Sequence, residues 1–79
     1  MMIDELETRI RNILADILGI EPRQVDEGTA FDRTPGWDSV NHINLVVALE
    51  EEFSIRLDVG EIETMLAFPD VVTTVESKL

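Results

Sequence analysis

The sequence predicts an all-α fold: a small bundle of three main helices plus a short additional helix around a single core. Two long segments repeat apolar residues at the three-and-four spacing of a helix face. Between them lies a long stretch without periodicity, punctuated by proline and glycine. Near the end, Val71, Val72 and Val75 are β-branched, yet a strand there finds no second strand to pair with, so a helix is expected. The 79 residues amount to one small domain, and without cysteine its core must be packed well with no help from disulfides.

The first helix is expected over Ile3 to Leu18, where Ile3, Leu6, Ile10, Ile13, Leu14, Ile17 and Leu18 share one face. Asp4, Glu5 and Glu7 suit the positive end of its dipole, and Gly19 is its stop. Ile20 to Trp37 reads as a long connection, with Pro22, Gly28, Pro35 and Gly36, pinned to the core by Val25 and Phe31. Connections longer than about 12 residues are usually functional or disordered. The second helix begins at Asp38-Ser39 and runs to about Phe53. Asp58 is expected to cap a short helix over Val59 to Leu66, and Asp70, after Pro69, a final helix over Val71 to Leu79.

The net charge of -11 argues against nucleic acid and anionic membranes, whose phosphates require lysine and arginine. It serves solubility, and it also steers the chain toward basic patches on other proteins. The start Met-Met-Ile-Asp-Glu lacks the basic and apolar stretches of an export signal, so a cytoplasmic location is expected. The apolar run Leu45 to Leu49 is far short of the about 20 residues that span a membrane. His42, the single histidine, cannot build a zinc site without help.

On a wheel at about 100° per residue, Leu45, Val46, Leu49 and Phe53 share the core side of the second helix, with Ile43 at its edge. Val40, Asn44, Val47 and Glu51 fall together on the opposite side. Two aliphatic residues there form either an ordinary exposed surface or a docking patch, with Glu50, Glu51 and Glu52 as its polar rim. Asp38 before the helix is a cap. Ser39, in the first turn, is also placed where exposed N–H groups and the dipole favour an anion such as phosphate.

Gly36-Trp37-Asp38-Ser39-Val40, followed by Leu45-Val46-Val47-Ala48-Leu49-Glu50-Glu51-Glu52-Phe53, resembles the acyl carrier proteins, with their G-x-D-S-L motif leading into an E-E-x-F helix. The resemblance extends to Ala30-Phe31-Asp32 and to Leu18-Gly19-Ile20, and covers nearly the whole chain. It implies a single carrier domain over residues 1–79 in which Ser39, next to Asp38, receives 4'-phosphopantetheine from coenzyme A through a separate magnesium-dependent phosphopantetheinyl transferase. The arm's thiol then holds acyl groups as thioesters for enzymes of fatty-acid, polyketide or related biosynthesis. The resemblance also implies that visiting enzymes recognise the second helix, through Val40, Asn44, Val47 and Glu51. Such a carrier is non-catalytic and is expected to act as a monomer, in trans.

This chain departs from the family in having Pro35 where leucine is usual, Trp37 where a small residue is common, and Asn41 and Asn44 where fatty-acid carriers often present acids. These changes bear on partner and cargo. His42, on the inward half of the wheel, is expected to pack rather than to act as a base. A hydrolase is disfavoured because Ser39 lacks a G-x-S-x-G context. No stretch matches a calcium-binding loop. An aminoacyl or peptidyl carrier, and a cofactor-free acidic helical adaptor, remain as alternatives.

Overall fold

The apolar spacing of the first segment closes into helix α1, Ile3–Leu18. The computed structural model describes residues 3–79, Ile3 by its backbone alone, so the inward position expected of that side chain lies outside the described residues. Leu6, Ile10, Leu14 and Ala15 are buried, while Ile13, Ile17 and Leu18 pack partly buried against the core. Asp4 and Glu5 occupy the first turn, and Glu7 lies beyond it. At the far end Gly19 takes φ +71°, a left-handed conformation that suits glycine at a helix stop.

The connection from Ile20 to Trp37 is irregular but held throughout. Pro22–Gln24 form one 3-10 turn. Val25 is buried beneath it, and the Arg11 Nε–H donates to its carbonyl at 3.2 Å. Phe31, expected to pin the loop, is partly buried against the core. The firmer attachment comes from the backbone. Phe31 N–H donates to the Leu66 carbonyl at 2.8 Å and Phe68 N–H to the Thr29 carbonyl at 2.9 Å, which pairs Ala30 with Ala67. Thr29 is itself buried, and its hydroxyl accepts from Asp26 N–H at 2.9 Å.

Helix α2 spans Ser39–Phe53 and buries His42, Leu45, Val46, Leu49 and Phe53. Ile43, expected at the edge of the core, is 57% exposed. His42 occupies the middle of the buried stripe, and the next residue, about 100° further round, is turned outward. The helix stops at Ser54, whose φ of 54° is left-handed. Arg9, midway along α1, pairs with Glu52 and lies over the Phe53 ring at 4.7 Å, tying α1 to the end of α2.

Helix α3, Val59–Thr64, is short and contains no buried residue. Asp58 caps it as expected, and Glu61 completes a capping box by accepting from Asp58 N–H at 3.0 Å. It ends before the expected Leu66, because Met65 leaves helical geometry to become wholly buried. Helix α4 covers Phe68–Lys78 and starts earlier than the sequence suggested. Its N-cap is Ala67, not Asp70, which sits inside the first turn. Pro69 lies inside the first turn rather than before the helix, since a first-turn residue needs no N–H and proline's φ is already helical. Val71, Val72 and Val75 line the core, and α1 packs against both α2 and α4.

Leu49 is fully buried at the centre of α2. Leu49→Ala should lower the unfolding free energy by about 2 to 5 kcal/mol, read from urea melts, a large share of the ~5–15 kcal/mol typical of a domain.

The attachment of α3 should depend on pH through Glu61. Its pKa is lowered first by the hydrogen bond from Asp58 N–H and then by Lys78, whose ammonium lies 2.7 Å away. A depressed carboxylate contributes stability above its unfolded-state value, and this is lost as pH falls through the folded-state value. The raised Lys78 adds the converse loss at pH above the ordinary lysine range. Acidification below the usual carboxylate range should therefore lower the amide protection factors in α3. Glu61→Gln, which still accepts from Asp58 N–H but does not titrate, should flatten that dependence.

Candidate functional site

Three devices position Ser39. Asp38 is extended, at φ -110° and ψ -174°, and its Oδ1 accepts from Asn41 N–H at 2.9 Å. The Asn41 side chain then reaches back, its Nδ2 donating to the Gly36 carbonyl at 2.6 Å. Gly36 takes φ +91° to aim that carbonyl at the helix, a conformation open to glycine and rarely to other residues. Asn44 Nδ2 continues the chain by donating to Asn41 Oδ1 at 3.0 Å. The loop before the serine and the first turns of the helix are thus stitched together by two amides.

Ser39 itself is exposed, the first residue of α2, and its hydroxyl enters no hydrogen bond among the described residues. The N–H groups of Ser39 and Val40 likewise donate to no protein acceptor, as first-turn groups must unless capped.

Beneath the serine turn the chain is fixed by aromatic residues. Trp37 is 1% exposed, and its indole N–H donates to His42 Nδ1 at 2.9 Å. His42 is 7% exposed, with Nε2 2.9 Å from the Ile62 carbonyl of α3. An indole only donates and a carbonyl only accepts, so these contacts require the neutral imidazole with its proton on Nε2. Phe31 meets the same ring edge-on, at 5.3 Å between centroids. His42 packs, as its place on the wheel implied, but it also joins three elements. Trp37, Asn41 and Ile62 were not recognisable as parts of this arrangement. The only signal was an indole and an imidazole flanking the Asp-Ser pair.

Val40, at 70% exposure, Val47, at 47%, Asn44 and Glu51 all lie on the outward side of α2, as expected. Ile43 extends that apolar surface. The expected acidic rim is smaller than Glu50 to Glu52, because Glu50 turns back to accept from Leu57 N–H at 2.9 Å and Glu52 pairs with Arg9. A separate cleft of about 550 Å³ between α1, the loop and α4, with Arg11, Val25, Phe68 and Val72 in its walls, shares no residue with the serine turn.

The family described as "Phosphopantetheine attachment site" matches residues 8–75. The chain belongs to that family, the phosphopantetheine-binding carrier proteins, and its cofactor is 4'-phosphopantetheine. It is 34% identical to an acyl carrier protein of Rhodopseudomonas palustris, over 94% of each chain. An acyl carrier protein of Sinorhizobium fredii is 31% identical, over 94% of this chain and 95% of its own. One from Thermotoga maritima is 29% identical, over 96% and 94%. The exposed Ser39 hydroxyl and the undonated N–H groups beside it fit such a group, since they leave an oxygen to esterify and donors for the resulting phosphodiester.

Proposed function

We propose that this protein is an acyl carrier, a single domain over residues 1–79 with its phosphopantetheine arm attached at Ser39. The observation that carries this reading is the exposed, unengaged Ser39 hydroxyl on the first turn of a helix capped by Asp38, in a chain of the phosphopantetheine-attachment family. When bound, the group supplies a thiol that holds acyl cargo as a thioester, a sulfur function that a chain without cysteine lacks. The chain's own residues present and orient the serine: Asp38 caps, and Asn41 ties the loop to the helix.

The protein carries rather than catalyses. Both nitrogens of its single histidine are engaged by Trp37 and Ile62, so the imidazole is not placed to serve Ser39 as a base. Its partners are a phosphopantetheinyl transferase and acyl-loading, elongating or transferring enzymes with basic docking patches, which the charge of -11 attracts. They dock on the outward side of α2, at Val40, Asn44, Val47 and Glu51. None of the described helices is long and apolar enough to cross a membrane. A monomer working in the cytoplasm fits this reading.

Neutral Asn41 and Asn44 favour a dedicated pathway over general fatty-acid synthesis. The two are not equivalent, because Asn41→Asp removes the donor to Gly36 and sets a carboxylate against a carbonyl. Asn44→Glu loses only an exposed amide bond and is the cleaner restoration of charge.

Incubation with coenzyme A, magnesium and a broad-specificity transferase should add one phosphopantetheine mass to the wild type and none to Ser39→Ala. Because Asp38 still caps, that substitution should change stability by no more than about 1 kcal/mol. A wild type that stays unmodified with several transferases, by mass spectrometry, overturns the carrier reading. On the loaded protein, Val47→Asp should slow transfer to a partner with an unchanged thermal midpoint, since that side chain is buried only in the complex. Asn44→Glu should raise the association rate with general fatty-acid enzymes, most at low salt.

A further inference from the structure

Helix α3 has no buried residue of its own, so apolar packing alone does not fix it beside α2. Ile62 is partly buried against the core, and the remaining ties are polar: the Glu61–Lys78 ion pair at its outer side and the contact of its Ile62 carbonyl with His42. His42 lies one turn beyond Ser39 on α2, and its other ring nitrogen holds Trp37, two residues before the serine. One buried ring therefore bridges the loop that leads into the site, the helix that carries the serine, and α3.

We propose that His42 is a positioning residue for the loading and unloading of Ser39: its neutral, Nε2-protonated ring holds α3 and the serine loop in the arrangement that partner enzymes recognise. This role rests on the carrier reading above. The bridge is directional. Removing the ring's polar atoms leaves the Trp37 indole N–H and the Ile62 carbonyl without partners. Adding a proton at Nδ1 sets it against the indole N–H, donor to donor, and breaks the loop side of the bridge.

Among the described residues, no charged side chain hydrogen-bonds to the ring or pairs with it. From α2, Asp38 accepts from Asn41. From α3, Glu61 is taken by Asp58 N–H and Lys78, while Glu63 is exposed. From the loop, Asp32 and Arg33 are exposed, and none of the described ion pairs includes His42.

The test combines nitrogen-15 NMR with transferase kinetics. In the wild type, the His42 ring shifts should report the Nε2–H tautomer, and a coupling across the hydrogen bond should connect the Trp37 indole nitrogen to His42 Nδ1. His42→Phe fills the space without either bond. It should speed amide exchange in α3 and raise KM for a transferase about tenfold, with kcat changed less than about twofold, as expected for loss of a buried hydrogen-bonding group. His42→Gln, which keeps one acceptor and one donor, should recover part of that loss.

An Nδ1–H tautomer, or the absence of coupling between the Trp37 indole nitrogen and His42 Nδ1, overturns the proposal. So do wild-type KM and α3 exchange in the His42→Phe protein. Should that variant fail to fold, the tautomer measurement and His42→Gln decide. A wild type that accepts no phosphopantetheine sinks the carrier reading instead, and the NMR arms still report on the bridge.

Discussion

Two backbone hydrogen bonds, Phe31 N–H to the Leu66 carbonyl and Phe68 N–H to the Thr29 carbonyl, close the long connection onto the junction between α3 and α4. Without them, the segment from Ile20 to Trp37 would be held only at separate side-chain anchors such as Val25, Phe31 and Trp37. Closing a loop of this length costs entropy that grows slowly with its size, so a few well-placed bonds are enough. The short α3 is enclosed by the same closure, since the chain on either side of it ends in the buried Leu57 and Met65. The serine turn inherits its position from this arrangement. Trp37 is set by the loop, Asp38 follows it, and the helix begins at Ser39.

The acidity of the chain is divided between architecture and surface. Asp38, Asp58 and Glu61 satisfy backbone donors at helix starts, Glu50 holds the Leu57 amide, and Glu52 pairs with Arg9. These carboxylates stabilise the fold locally, whereas others such as Glu51 face solvent. Charge counting treats all of them alike. For a partner with a basic patch, what matters is the subset that remains outward beside Val40, Ile43 and Val47.

The helices were legible wherever periodicity and caps agreed. The stripe of α1 and the Asp38 and Asp58 caps are properties of neighbouring residues, and the sequence displays them directly. The start of α4 is hidden in the sequence because a proline marks a break before a helix and a first-turn position inside one equally well, and here it is the latter. Ile43 stands about 100° from the middle of the buried stripe, where the wheel alone does not decide whether a side chain turns in or out, and it turns out. The serine and its cap could be read from the Asp-Ser pair and its surroundings. The Asn41 clamp and the Trp37–His42–Ile62 bridge could not, since their partners are set by the path of an irregular loop. Such contacts follow from where the chain turns, and no repeating pattern encodes that.

Trp37 is the single tryptophan of a chain that has no tyrosine, so its ultraviolet emission arises from one known place. The indole is shielded from water and hydrogen-bonded to an imidazole, two residues from the serine. Buried indoles emit at shorter wavelength than hydrated ones, and a neighbouring imidazolium quenches them. The protein therefore contains its own fluorophore beneath the serine turn, and label-free fluorescence can follow events there.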